Sequence, residues 1–281
     1  MPPNFTEDGV LQISWYHRIF FWLIRFLFKV PPHIAFIMDG NRRFARSNNM
    51  ELQLGHSAGF DTMLEVLGWC RHLGVTQTTV YALSVDNWSR SEKEVNYLVE
   101  LARDKACLMR EKRSLIGGTG VCVRFVGEKQ HSNNSKSCRL NICFSYSGRE
   151  EIISASEEIK WGVDQGILHI DDVSENLMGQ CILARGIGTP PDLVIRTSGE
   201  VRLSDFLLWQ TDFTPLVFLA PLWPQMSVWQ LFKAIFRFQF SYRQVKSAQR
   251  RTESLKSTST DFEQLERIEK FLQLVEQRSY N

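Results

Sequence analysis

The run Ile34-Ala35-Phe36-Ile37, closing on Met38-Asp39-Gly40-Asn41-Arg42-Arg43, constrains this chain more than any other stretch. Consecutive apolar residues without polar alternation predict a buried strand. A strand that ends in a carboxylate, a glycine, an amide and two guanidinium groups closes a fold poorly but suits a phosphorylated ligand. The carboxylate can carry Mg²⁺, Gly40 lets the backbone approach a phosphate, and the arginines take its oxygens in fork geometry.

The rest of the chain supplies a fold around that strand. Phe60, Met63, Leu64, Leu67 and Cys70 have helical spacing and predict a helix over Ser57–His72, ended by Gly74. Thr78–Leu83 is rich in strand-forming residues. Ser91 and Glu94 have the spacing of a capping box, opening a helix that runs to about Arg113 before Gly117-Gly118. Val121–Val126 and Leu140–Tyr146 read as strands, Glu150–Trp161 as a helix, Asp192–Ile195 and Leu216–Leu219 as strands, and Ser227 to about Arg250 as a long helix. Strands alternating with helices predict an α/β fold with a mostly parallel central sheet flanked by helices. One connection breaks the pattern. Residues 127–139 are polar and lack apolar periodicity, whereas a parallel crossover takes about a dozen residues or more and usually contains a helix. Either the flanking strands are antiparallel or a helix has been lost here.

At 281 residues, one large domain at 31–250 with terminal extensions is expected, and 43% apolar content supports a sizeable core. A formal net charge of +2 makes no case for a nucleic-acid partner, so any anion site depends on local arginine clustering. Six cysteines without a C-x-x-C pair or a Cys/His cluster fit reduced thiols in a cytosol-facing protein. In the first extension, residues 1–30, Ser14, Arg18, Arg25 and Lys29 share a narrow stripe at about 100° per residue, and nearly everything else is aromatic or aliphatic. Its longest uninterrupted apolar run, Ile19–Ile24, is far shorter than the roughly 20 residues a spanning helix needs. No small-residue cleavage site follows. A basic stripe beside a wide aromatic face predicts a helix lying in a membrane interface; a helix packed on the body or on a partner is the other reading. In the last extension, residues 251–281, Thr252–Thr260 reads as a flexible connection. Phe262, Leu265, Ile268, Leu272 and Val275 then predict a helix over Asp261–Gln277 that packs on the body or on a partner chain.

Three polar clusters follow predicted strands: Asp39–Arg43 with His56 beyond it, Ser84–Arg90, and Arg196–Ser204. Each alone has an ordinary explanation as a solvated loop, a turn with a packing aromatic, or surface charge. In a parallel sheet, however, the carboxyl ends of the strands share one edge, where ligands bind. The clusters should therefore converge and supply at least one carboxylate and the five arginines Arg42, Arg43, Arg90, Arg196 and Arg202. Such a site suits a pair of diphosphates.

Together, His33–Arg43, Gly55-His56-Ser57-Ala58-Gly59, Ser84–Arg90 and Ile195–Gln210 resemble the cis-prenyltransferase (undecaprenyl diphosphate synthase) family over roughly residues 30–240. The doubled Arg42-Arg43 and the Glu-Val-Arg-Leu-Ser string resemble its eukaryotic dehydrodolichyl diphosphate synthase branch more than the bacterial one. The resemblance implies a catalytic subunit that elongates farnesyl diphosphate with isopentenyl diphosphate, each new double bond cis, for dolichol and protein glycosylation. It implies that Asp39 holds Mg²⁺ and assists departure of the allylic diphosphate. Gly40, Arg42, Arg43 and Arg90 would bind that diphosphate, and Asn41 would also bind substrate. Arg196, Arg202 and Ser204 would bind isopentenyl diphosphate, sharing Gly40, Arg43 and Arg90. His56 and Asn87 would lie near the reacting groups, Asn87 at the proton-removal step. The faces of the helices at 57–72 and 91–113 could line the channel for the growing chain.

The departures from the family pattern matter as much. Val201 stands where bacterial members have a histidine, and Pro215 falls where they have a metal-binding glutamate, leaving Asp39 as the clear protein ligand. The segment 276–281 has no R-x-G motif, so the resemblance implies a partner like the Nogo-B receptor that supplies one, and weak or no activity alone. It also implies the cytosolic face of the endoplasmic reticulum membrane. The shortened 127–139 region favours an alternative, a non-catalytic or regulatory subunit of the same complex. Finally, Asp171-Asp172-Val173-Ser174-Glu175 looks like the D-D-x-x-D box of trans-prenyltransferases. It occurs once, at a predicted helix start near Val173–Ala184 where acids are favoured, and reads as a cap.

Overall fold

The computed structural model describes residues 14–111, 121–126, 138–256 and 262–279. Six strands form one sheet: β1 (His33–Ile37), β2 (Gln77–Tyr81), β3 (Val121–Val126), β4 (Cys138–Cys143), β5 (Leu193–Arg196) and β6 (Leu216–Phe218), in the order β3-β4-β2-β1-β5-β6. Every pairing is parallel. The helices are α1 (Trp15–Leu27), α2 (Asn41–Ser47), α3 (Leu52–Leu73), α4 (Glu92–Glu111), α5 (Gly148–Asp164), α6 (Glu175–Arg185), α7 (Val228–Lys256) and α8 (Phe262–Ser279).

All five residues of β1 and of β2 are buried. β1 achieves this with four apolar residues after His33. β2 does so with Gln77, Thr78 and Thr79, so its polar groups need partners inside the sheet. Thr79 Oγ1 lies 2.7 Å from His33 Nε2 on β1 and accepts from Asn141 Nδ2 on β4 at 2.9 Å, while Gln77 Nε2 donates to the Ile187 carbonyl at 2.7 Å. β1 sits between β2 and β5, where the chain changes sides of the sheet, and a crevice opens beyond the carboxyl ends of strands at such a reversal.

β3 and β4 pair in parallel, Val121 opposite Cys138 through Val126 opposite Cys143, which overturns the antiparallel alternative. The residues between them, 127–137, lie outside the described residues. Eleven residues can extend about 36 Å, against the roughly 20 Å needed to return along a six-residue strand, so length permits the crossover without a helix. α3 starts at Leu52, before the predicted Ser57, and α7 continues to Lys256, through residues predicted as a flexible connection. There the hydroxyls of Thr252 and Ser254 donate back to the Ala248 and Arg251 carbonyls, which accommodates them in a helix.

α1 buries Phe21 and Ile24 against the body, with the Phe21 ring 5.5 Å from His72 on α3 and 5.3 Å from Phe232 on α7. Trp15, Ile19, Trp22 and Phe26 stay exposed. No helix among the described residues is long and apolar enough to cross a membrane. α8 packs on the body: Phe271 and Val275 are buried with Ile159 and Leu168. Arg267 donates to both Asp172 oxygens at 2.9 Å. Asp172 is therefore a buried anchor for α8, and Ser174 caps α6 by accepting from Leu177 N at 3.2 Å.

Candidate active site

The crevice begins at the end of β1. Gly40 has φ +112°, and a Cβ there would lie 2.9 Å from the Leu222 side chain, so only glycine can turn the chain here. The turn leads into α2, a helix the sequence reading missed. α2 approaches α3 closely because of two further glycines. A Cβ on Gly55 would fall 2.5 Å from the Asn41 carbonyl oxygen, and one on Gly59 would fall 2.4 Å from Asn41 Oδ1. This contact places Asn41 and, from the same face of α3, His56 on one cavity wall.

The second cluster forms a tight turn after β2. Ser84 Oγ accepts from Asp86 N at 3.1 Å, and the Asn87 side-chain oxygen accepts from the Arg90 guanidinium. The third cluster leaves β5 through backbone that L-residues rarely adopt, with φ +77° at Ser198 and +51° at Ser204, a conformation that costs on the order of 1–3 kcal/mol per residue. Arg196, only 3% exposed, is the hub of this loop. Its Nη1 donates to Ser204 Oγ at 2.8 Å and to the Arg202 carbonyl, and its Nη2 donates to Asp39 Oδ2 at 2.8 Å.

The three clusters meet around one cavity of about 540 Å³. Asp39, Gly40, Asn41, Arg42 and Arg43 reach it from the first, Asn87 and Arg90 from the second, Arg196, Arg202 and Ser204 from the third, and His56 from α3. The structure thus brings all the sequence-predicted site residues together. Two contributors were missed. Arg46, one helical turn beyond Arg42, also lines the cavity. Glu94 pairs with Arg90 at 2.9 Å, His56 at 3.7 Å and Arg42 at 3.9 Å. Its carboxylate faces the two guanidinium groups and the imidazole rather than the Ser91 amide that the capping-box spacing predicted. Val201 is exposed away from the body, and Pro215 lines a separate cavity with Asp192 and Asp212.

Burial alone would raise the Asp39 carboxyl. Hydrogen bonds from Arg196 and Ser198 and the charges of Arg196 and Arg43 outweigh it, holding the pKa below the usual carboxylate value. Burial lowers the His56 pKa despite the attraction of Glu94, so the imidazole is neutral near pH 7. Three buried polar atoms on this wall have no hydrogen-bond partner: Asn41 Oδ1, His56 Nε2 and Arg196 Nε. Unsatisfied groups beside a cation-rich cavity mark places for a polar ligand. Among the described residues, no group of three or more His, Cys, Asp or Glu could hold a metal. Asp39 lines the cavity with Asp86 and Glu200, and a carboxylate so placed could share Mg²⁺ with the phosphates of a ligand.

A second, apolar cavity of about 110 Å³ adjoins the first and shares Met38, Asn41, His56, Ala82, Leu83 and Leu98 with it. Phe60 and Met63 of α3, Leu101 of α4 and Ile142 of β4 line its interior. The faces of α3 and α4 expected to border a channel do line this space. An arginine-rich crevice at a parallel sheet edge, opening into an apolar chamber, defines an α/β protein that handles an anionic head group carrying an apolar chain.

Residues 37–246 match the prenyltransferase family model for undecaprenyl diphosphate synthases. The human dehydrodolichyl diphosphate synthase complex subunit DHDDS is 44% identical over 78% of this chain and 70% of its own length. A tritrans,polycis-undecaprenyl-diphosphate synthase of Methanopyrus kandleri is 37% identical over 75% of this chain and 83% of its own. The crystal structure of lavandulyl diphosphate synthase from Lavandula x intermedia, in complex with dimethylallyl diphosphate, superposes with a TM-score of 0.66 at 29% identity, covering 74% of this chain and 95% of that one. The chain belongs to the undecaprenyl diphosphate synthase family and is a cis-prenyltransferase.

Proposed function

We propose that this cis-prenyltransferase elongates farnesyl diphosphate with isopentenyl diphosphate and makes a long polyprenyl diphosphate for dolichol synthesis. The observation that carries this reading is the joining of the arginine-lined cavity to the apolar one through shared wall residues. Breaking a carbon–oxygen bond to diphosphate develops negative charge on the leaving group, and fixed cations stabilise that charge more in the transition state than in the ground state. Gly40, Asn41, Arg42, Arg43 and Arg90 hold the allylic diphosphate in this reading, and Arg196, Arg202 and Ser204 hold isopentenyl diphosphate. The Asp39–Arg196 contact at 2.8 Å couples the two groups, because the arginine that binds one substrate orients the carboxylate serving the other. Asp39 would hold Mg²⁺, which would supply charge neutralisation at the departing diphosphate. Holding two substrates in register removes the entropic cost of a bimolecular encounter, potentially about 7–11 kcal/mol. His56 and Asn87 stand beside the reacting groups, with Asn87 assigned to the proton-removal step.

The human and mouse relatives are named as subunits of a complex. That naming supports a partner subunit; we further propose that the partner is like the Nogo-B receptor and contributes an R-x-G motif, and that the chain works on the cytosolic face of the endoplasmic reticulum. The exposed aromatic side of α1 supports contact with the membrane surface. The test is incorporation of labelled isopentenyl diphosphate by the chain with its partner, against Asp39→Ala. Loss of incorporation in the variant is expected. Equal incorporation would refute the catalytic reading and favour the regulatory-subunit alternative, which the short 127–139 region favours.

A further inference from the structure

Among the described residues lining the apolar cavity, one carries a full charge. Lys105 lies on the wall with Leu98 and Leu101 of α4 and Phe60 of α3, and its ammonium sits 4.7 Å from the centre of the Phe60 ring. Leu98 lines both cavities and so marks the end nearer the arginines. Lys105 follows two helical turns later on the same face of α4, about 10 Å further along. A half-buried lysine ordinarily lays its stem on apolar surface and leaves its head in water. Here the head instead lies over an aromatic ring, on the described wall further from the arginines, in a space prepared for an apolar chain.

We infer that Lys105 and Phe60 form a cationic latch between α3 and α4 that sets how readily the growing chain passes, and with it the length of the product. The inference rests on the elongation reading above. A cavity of about 110 Å³ that is half open cannot enclose a long prenyl chain, so a growing chain must extend out of it past the residues on its wall. A chain end reaching Lys105 offers the ammonium no hydrogen bonds. It must lift the cation off the ring and return it to water, which the partial exposure of Lys105 permits. The latch therefore delays elongation relative to release without barring it.

The experiment uses the full chain with its partner subunit, farnesyl diphosphate and labelled isopentenyl diphosphate, and resolves the products by length. Lys105→Met keeps an unbranched apolar stem and removes the charge. It should raise the ratio of products one isoprene unit longer to the main wild-type product by roughly two- to fivefold, the factor corresponding to about 0.5–1 kcal/mol of cation–π attraction. Lys105→Arg keeps a cation over the ring and should retain the wild-type distribution. An unchanged distribution in Lys105→Met overturns the latch while leaving the elongation reading intact, as does an equal shift in both variants, which would indicate packing alone. A wild-type chain that incorporates nothing with its partner overturns the elongation reading and the latch together.

Discussion

Replacing Arg196 tests whether the crevice is held together by its central ion pair. Arg196 is 3% exposed and donates to Asp39 at 2.8 Å. A hydrogen bond to a charged group contributes a net stabilisation of about 1.5–3 kcal/mol. The Asp39 side chain keeps 30% of its exposure, so water screens part of the attraction. The coupling should then fall in the lower half of that range, about 1.5–2 kcal/mol. Urea unfolding at about pH 7 of the wild type, Arg196→Met, Asp39→Asn and the double variant isolates the pairwise contribution from the changes each substitution makes elsewhere. The depressed Asp39 pKa gives a second readout. A carboxyl whose folded pKa lies below its unfolded value contributes stability that is complete above the unfolded value of about 3.9 and is lost as pH falls from there through the folded one. Wild type should show this loss, and Arg196→Met should show less of it. A coupling below about 0.5 kcal/mol, within the scatter of independent sites, would refute the claim that Arg196 positions Asp39.

Two further outcomes follow from packing and burial. Gly55→Ala would place a methyl group 2.5 Å from the Asn41 carbonyl oxygen, a backbone atom that can move only with α2. It should cost about 1–3 kcal/mol in thermal unfolding and weaken farnesyl diphosphate binding; unchanged stability and affinity would show that the two helices do not need this close approach. His33 is held neutral, chiefly by burial, with its pKa lowered to about 4. Since the unfolded value is about 6.5, the stability it confers is complete above that pH and is lost as pH falls toward the folded value, by up to about 3 kcal/mol. His33→Gln should flatten stability over that window, and a slope equal to wild type would place the proton uptake elsewhere.

Much of the architecture was legible because its signals are local. The apolar run 34–37, the helical spacing from Phe60 to Cys70 and the polar clusters after strands need only neighbouring residues to be read. α2 was not legible, because Asn41–Ser47 is short and mostly polar. It forms where Gly40 turns the chain and where Gly55 and Gly59 leave room for it. Glu94 was misread for a related reason. Its spacing from Ser91 suggests a cap, but the groups beside its carboxylate include the Arg42 guanidinium from α2 and the His56 imidazole from α3, distant in sequence. The pairing of β3 and β4 stayed open in the sequence, between antiparallel strands and a parallel pair that has lost its crossover helix, because a short polar connection usually joins antiparallel strands; the structure has the parallel pair.

The sequence by itself determined which residues carry the charge and that three charged clusters end three buried strands. It also determined the family, whose motifs fix residue identities. Burial of apolar runs is nondirectional, so it selects strands and helices without choosing their neighbours. Only the tertiary structure decided that β1 stands between β2 and β5, that Arg196 reaches across to Asp39, and that Lys105 closes on Phe60. Those contacts depend on distances of a few ångströms between residues far apart in the chain. Hydrogen bonds and ion pairs weaken steeply beyond that range, so register and side-chain direction, which no local pattern contains, settle which of them form.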